Sequence, residues 1–69
     1  MFSMTLRAAD KVREYSVSPL QETGWEVVLS ENRTVCYRIV YRDWHRVERA
    51  VSMFRLEASQ LMACGWEVV

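Results

Sequence analysis

Two adjacent stretches decide the fold: residues 34–42, TVCYRIVYR, and residues 43–63, DWHRVERAVSMFRLEASQLMA. The first stretch alternates in character and is rich in β-branched and aromatic residues, which predicts a half-buried β-strand. The second stretch contains no glycine or proline, and its apolar residues fall within a stripe about 120° wide at helical spacing. A strand that leads directly into a long amphipathic helix predicts a sheet with that helix packed on one face.

Signals at both ends of the second stretch support the helix. The carboxylate of Asp43 can accept hydrogen bonds from the first free amides, and Gly65 stands where helices commonly end. The apolar stripe of this helix consists of Trp44, Val47, Ala50, Val51, Phe54, Ala58, Leu61 and Met62. The sheet face that we expect to meet it carries Tyr15, Val17, Trp25, Val27, Leu29, Val35, Tyr37 and Ile39.

The remaining segments predict further strands around this pair. Residues 13–18 and 25–30 alternate as short strands, residues 31–33 turn the chain, and residues 66–69 form a last strand. Residues 1–12 fit a strand or a helical turn, so we expect an arm that is either flexible or an edge element. The sequence therefore predicts one α+β domain over residues 13–69 in the order β-β-β-α-β. Its three- to four-stranded, mainly antiparallel sheet is packed on one face by a single long helix.

Composition excludes several classes of protein. The chain has 69 residues, of which 51% are hydrophobic, with nine basic and nine acidic side chains. No segment approaches the ~18 consecutive apolar residues of a membrane span, so we expect no membrane partner. Cys36 and Cys64 form no C-x-x-C pair, which predicts two buried thiols in a reducing compartment. Together with the absence of a secretory leader, this favours a cytoplasmic protein.

No motif for chemistry stands out, and we expect that the chain is not an enzyme. Zinc needs about four ligands and His45 is the only histidine, so we expect no metal and no cofactor. Cys36 and His45 are the one formal nucleophile and base, but Cys36 falls inside a strand with no activating group beside it in the sequence. The sequence allows no small-molecule ligand to be inferred.

Several apolar residues find no place in the predicted core. They are Val28, Cys36, Val40, Met53, Leu56, Trp66 and Val68. A group of exposed apolar side chains on one small domain more often marks a covered surface. We therefore expect a small interaction or accessory protein that self-associates as a homodimer or a higher homo-oligomer.

The arginines offer an alternative hypothesis, a nucleic-acid-binding module that uses a sheet and helix face. The candidate residues are Arg33, Arg38, Arg42, Arg46 and Arg49. Net neutrality weighs against it, because nucleic-acid-binding domains are usually strongly basic. The arginines can instead pair with the nine carboxylates of the chain itself.

Two resemblances accompany this pattern. Residues 13–64 resemble small bacterial proteins of unknown activity with a Gly-Trp-x-Val strand, a hairpin and a helix that stops at Cys-Gly; the matching pieces are residues 24–27, 34–42 and 43–65. That resemblance implies the fold and no activity. The order of elements is also similar to the arm-type DNA-binding domain of tyrosine recombinases, which implies DNA binding. This chain departs from that domain because it is neutral, lacks a Lys/Arg-rich hairpin and adds a strand after the helix.

Overall fold

Five strands and one helix make up the chain in the computed structural model, which describes residues 2–69. The elements are β1 (Phe2–Ala8), β2 (Lys11–Pro19), β3 (Trp25–Glu31), β4 (Thr34–Tyr41), α1 (Trp44–Ala63) and β5 (Glu67–Val68). They form a single sheet in the order β4-β3-β2-β1-β5, in which every pair of neighbours is antiparallel. The predicted α+β class, with an antiparallel sheet and one long helix, is confirmed.

The sheet has one strand more than the sequence predicts, because residues 2–8 form β1. This strand pairs with β2 along its whole length, from Phe2 opposite Val17 to Ala8 opposite Lys11, and β5 flanks it on the other side. The turn between β1 and β2 holds Ala9 at a φ of 53°, a conformation that glycine usually supplies. The sequence therefore gives no turn signal there. Met1, which belongs to the predicted arm, lies outside the described residues.

The turn between β3 and β4 agrees with the predicted turn at residues 31–33. Asn32 and Arg33 both have positive φ, 52° and 68°, as a two-residue type I′ hairpin turn requires. Asn32 also ties this hairpin to β2. Its Oδ1 accepts the N–H of Val12 at 2.9 Å, and its own N–H donates to the Val12 carbonyl at 2.7 Å.

Helix α1 begins and ends where the sequence indicates. The Asp43 carboxylate accepts the N–H of His45 at 3.0 Å, which caps the first turn. At the other end, the N–H of Gly65 donates to the Met62 carbonyl and that of Trp66 to the Leu61 carbonyl, both at 3.1 Å. These two bonds form a Schellman motif around Gly65, whose φ is 106°.

The core lies between α1 and the middle of the sheet. Its buried members are Leu6, Tyr15, Val17, Val27, Leu29, Val47, Phe54 and Ala58. The Phe54 ring packs on the Tyr15 ring with 4.7 Å between centroids. Trp44 and Met62, which the sequence places in the helix stripe, remain exposed at the two ends of α1. The core is therefore centred over the inner strands of the sheet.

The predicted burial of β4 is wrong. Val35, Tyr37 and Ile39 are exposed by 46%, 38% and 39%. Val35 also lies on the other face: a β-bulge pairs Tyr37 with Leu29 but Val35 with Ser30, so Cys36 is the extra residue. An extra residue moves the side chains that precede it to the opposite face of the strand. The sequence alternates with a period of two on both sides of the bulge, so it does not show where the bulge lies.

The last strand lies far from β4. The sequence predicts a strand at residues 66–69 parallel to β4, and β5 does run in that direction. However, it pairs antiparallel with β1 at the opposite edge of the sheet, with Leu6 opposite Val68 and Arg7 opposite Glu67. It is also shorter than predicted, because Trp66 belongs to the helix stop.

Candidate functional site

Strand β4 is an edge strand with almost no cover. It pairs only with β3, seven of its eight residues are exposed, and Tyr41 is half-buried. It contains no proline and no lysine, and Arg38 is its one charged residue. An edge strand presents unpaired N–H and C=O groups that can pair with another strand, and long apolar edges are normally protected against this. β4 combines an open edge with an apolar sequence.

A groove of about 510 Å³ runs between the inner face of β4 and α1. Its lining residues are Tyr37, Tyr41, Arg46, Arg49, Ala50, Met53, Phe54 and Glu57. At its base the Tyr37 ring lies 6.3 Å from the Phe54 ring, centroid to centroid. One wall is therefore the apolar edge strand, and the other is a row of longer side chains on the helix.

The positive and negative side chains of the helix wall lie at opposite ends of the groove. Arg46 and Arg49 lie in the N-terminal half of α1, Met53 lies near its middle, and Glu57 lies in the C-terminal half. Within residues 2–69, neither Arg46 nor Arg49 has a carboxylate within 4.0 Å. The groove thus has two unpaired guanidinium groups toward one end and a carboxylate toward the other.

Glu57 is held in place by β2. Its Oε1 accepts the Tyr15 hydroxyl at 2.7 Å and also pairs with the Arg13 guanidinium. Arg13 in turn lies 3.3 Å from a carboxylate oxygen of Glu31. Burial, together with the hydrogen bond to Glu57, raises the pKa of Tyr15 to about 12. Burial also raises the pKa of Tyr37, on the floor of the groove.

The structure does not bring the seven predicted association residues into one patch. Val28 and Val40 lie on the sheet face opposite the helix, and Cys36 lies at the bulge of β4. Met53 and Leu56 are exposed on α1, and only Met53 lines the groove. Trp66 and Val68 lie at the other edge, where Trp66 is half-buried against the core.

Of the two β4 residues that line the groove, the sequence assigns Tyr37 to the core and gives Tyr41 no role. Ile39, on the same face of β4 but outside the groove lining, is also assigned to the core and is also exposed. The widths of helices and sheets could have indicated that Tyr37 and Ile39 are exposed. A helix with its side chains is about 10–12 Å across, whereas neighbouring strands are about 4.8 Å apart. One helix therefore covers only two to three strands, and the strands at the edges of a wider sheet stay open.

The five candidate nucleic-acid residues are also spread over the molecule. Arg33 lies in the β3–β4 turn, at the opposite end of β4 from Arg42. Arg38 lies on the outer sheet face and is 3.4 Å from Glu26. Arg46 and Arg49 face the groove. The five side chains do not form a continuous basic surface.

The groups considered for chemistry lie on the surface. Cys36 and Cys64 are both free and exposed, so the prediction that they are buried is wrong. Cys36 lies at the bulge of an uncovered strand, and Cys64 is the C-cap residue of α1. The Nδ1 atom of the exposed His45 ring lies 3.8 Å from the Glu48 carboxylate. Over residues 2–69, no three His, Cys, Asp or Glu side chains are grouped as a metal ion would need.

The described chain has no helix with both the length and the apolar character that crossing a lipid bilayer requires. No protein-family model, no curated protein and no solved structure matches this chain. The assignment of a function therefore depends on the geometry of its own residues.

Proposed function

We propose that this is a small, non-enzymatic interaction protein that self-associates through β4. One observation carries the proposal: an apolar strand of eight residues is exposed along its edge and over the groove. Its exposed apolar side chains on the inner face are Tyr37 and Ile39, by 38% and 39%. Contiguous exposed apolar surface on a small domain is typical of an interaction site.

A strand added to β4 would both pair its open backbone edge and cover its exposed apolar side chains. The unpaired backbone groups of the edge would gain partners, and the side chains of the added strand would cover Tyr37 and Ile39. Strand addition is a common mode of recognition, in which backbone hydrogen bonds give affinity and alternate side chains give specificity. A partner that covered only the apolar side chains would leave the edge unpaired.

The outer face of the sheet is less suited to association. On β2 and β3 it carries Glu14, Ser16, Ser18, Glu26 and Ser30, and its apolar residues there are the half-buried Val12 and Val28. Such a face can remain in water. We therefore assign the association to the edge and groove of β4 rather than to the outer face, where Val28 and Val40 lie. The free thiols of Cys36 and Cys64 support a reducing compartment, and we propose the cytoplasm.

The test is a lysine placed on β4. Ile39→Lys keeps a residue that is already 39% exposed at the surface, so the monomer should still fold, but a charge at this position opposes the addition of a strand. We expect the native chain to sediment as an oligomer at micromolar concentration and Ile39→Lys to sediment as a monomer.

The matched control is Ser18→Lys, which adds the same charge to the exposed outer face of β2. It should associate like the native chain, and circular dichroism should show that both variants are folded. A native chain that stays monomeric at every concentration would refute the proposal. Equal association of native chain and Ile39→Lys would refute the assignment to β4.

A further inference from the structure

We infer that β4 and the groove beside it bind an extended segment of a partner protein that carries carboxylate side chains, in competition with a second copy of this chain. The segment is added to the five-stranded sheet next to β4, and its alternate side chains point into the groove. Such a partner differs from a second copy, so its binding is a function beyond self-association.

Contacts between aromatic rings show which part of α1 lies over which part of β4. Trp44 packs on Trp25 with 5.0 Å between ring centroids, and Trp25 is paired with Tyr41. Phe54 lies 6.3 Å from Tyr37, again centroid to centroid. The helix therefore runs antiparallel to β4, with its first turn level with the end of the strand. The two stretches also agree in length, because four steps of a strand and ten of a helix span roughly 14 and 15 Å.

The two unpaired arginines of the groove lie over the second half of β4. Ile39 is at the middle of the strand stretch and Arg49 at the middle of the helix stretch, so these two residues are level. Arg46 is one turn earlier in α1, between the levels of Ile39 and Tyr41. Within residues 2–69 neither guanidinium has a carboxylate within 4.0 Å.

The carboxylate of the groove already has partners. Glu57 pairs with the Arg13 guanidinium and accepts the Tyr15 hydroxyl at 2.7 Å, and both of these groups belong to β2. The charge that remains without a partner in the groove is therefore that of the two arginines. Guanidinium groups suit carboxylates, with which they form charge-assisted hydrogen bonds.

These levels give the partner segment a pattern. In an antiparallel addition, the side chains opposite Tyr41, Ile39 and Tyr37 point into the groove and are two residues apart in the segment. The first two meet the arginines, so we expect carboxylates there. The third lies beside Met53 and the Tyr37 ring, so we expect an apolar residue. The pattern is Glu-x-Glu-x-Val, in which x faces away from the groove.

Other occupants match fewer of these features. Residues 37–41 of two copies would pair about a two-fold axis at Ile39, which places Arg49 of one copy opposite Arg49 of the other. Like charges oppose this pairing, so a second copy binds more weakly than an acidic segment. A small anion or a nucleic acid would meet the arginines, but it would leave the backbone edge of β4 unpaired. Only an acidic segment in extended conformation matches the edge, the apolar residues and the charge.

The test begins with two labelled peptides that have blocked ends. One is Ser-Glu-Thr-Glu-Thr-Val-Ser, and the other has lysine in place of both glutamates. Fluorescence anisotropy measures the binding of each peptide to the native chain. We expect the glutamate peptide to bind, and the lysine peptide to bind at least about tenfold more weakly.

Charge reversal in the protein should reverse this preference. Arg46→Glu combined with Arg49→Glu should bind the lysine peptide better than the glutamate peptide, a gain that an unfolded variant could not show. Arg55→Glu combined with Lys11→Glu is the matched control. It changes the net charge equally at two exposed residues that do not line the groove, and it should keep the native preference.

N-methylation of the glutamate peptide tests the backbone pairing. One version is methylated on both glutamates and the valine, and the other on both threonines. Alternate N–H groups of an added strand point toward β4, so one version should lose binding while the other keeps it. Equal binding of the two versions would overturn the addition of a strand.

The outcomes separate the acidic partner from self-association. A saturating amount of the glutamate peptide should dissociate the native oligomer in a sedimentation experiment, since both occupants use β4. If the native chain associates but binds the glutamate and lysine peptides equally, the acidic partner is refuted and self-association stands. Binding that leaves the oligomer intact also refutes it, because the peptide then lies elsewhere. If the chain is monomeric at every concentration yet prefers the glutamate peptide through its two arginines, self-association is refuted and the acidic partner stands.

Discussion

The hydroxyl of Tyr15 is the most informative single group to remove. Tyr15→Phe keeps the ring that packs on Phe54 and deletes only the donor to Glu57. A hydrogen bond to a charged group contributes about 1.5–3 kcal/mol. The side chain of Glu57 is 41% exposed and keeps its contact with Arg13, so water can replace the lost donor. We therefore expect Tyr15→Phe to lower the free energy of unfolding by about 1.5–2 kcal/mol at pH 7.

The pKa of Tyr15, which burial and then the hydrogen bond to Glu57 raise, adds a pH dependence to this prediction. A rise from 10.0 to about 12 is two pK units, or at most about 2.7 kcal/mol of preference for the neutral phenol in the folded chain. Because the folded-state pKa is raised, this stability is complete below pH 10 and is lost as the pH rises toward 12. The native advantage over Tyr15→Phe should therefore shrink across that interval.

Urea unfolding at one fixed protein concentration, at pH values from 7 to 11.5, measures both effects. A fixed concentration is needed because self-association stabilises the folded state by mass action. Tyr41→Phe is the control, since the Tyr41 hydroxyl makes no side-chain hydrogen bond within residues 2–69. Equal stability of native chain and Tyr15→Phe at pH 7, or a difference that stays constant up to pH 11.5, would refute the reasoning.

Three further substitutions test the backbone by the same urea assay. Gly65→Ala should cost about 1–2 kcal/mol, because its positive φ disfavours a side chain although the space around it is open. Gly24→Ala should cost more, since its Cβ would also lie 2.7 Å from the Tyr41 carbonyl oxygen; equal losses at the two glycines would contradict this reading. Arg33→Gly should stabilise the chain by about 1 kcal/mol, because Asn-Gly suits the turn after Asn32 better. A loss of stability for this variant would show that the Arg33 side chain makes a contribution larger than its backbone strain.

Elements with local signals could be predicted from the sequence. Helix α1 has its cap at Asp43, its stop at Gly65 and an unbroken apolar stripe, and each of these depends only on neighbouring residues. The hairpin turn at Asn32 could also be predicted, because its signal likewise depends only on neighbouring residues. β1 could not be predicted with the same certainty, because Ala9 occupies a positive-φ position where the sequence has no glycine.

The candidate site depends on features that no local pattern contains. Alternation in β4 shows which side chains share a face, but it does not show whether anything lies on that face. The exposure of Tyr37 and Ile39 follows from the width of one helix over five strands, and the total of five depends on β1. The outward position of Val35 follows from a one-residue bulge. The sequence therefore predicts exposed apolar surface, and Val40, Met53, Leu56 and Val68 are indeed exposed, but it misses the exposure of Tyr37 and Ile39, which it places in the core.

The shortness of β5 bears on how far association at β4 could proceed. On that margin of the sheet β5 pairs two residues of β1, and the N–H of Val69 donates to the Thr5 carbonyl at 2.9 Å. The free backbone groups on this margin therefore belong to two short runs, residues 2–4 at the start of β1 and the outer side of the two-residue strand β5. Once two copies had joined, neither outer margin would hold a template long enough to recruit a third. Growth into filaments would then be blocked by the shape of the chain itself, and a crowded solution would contain closed pairs of fixed size.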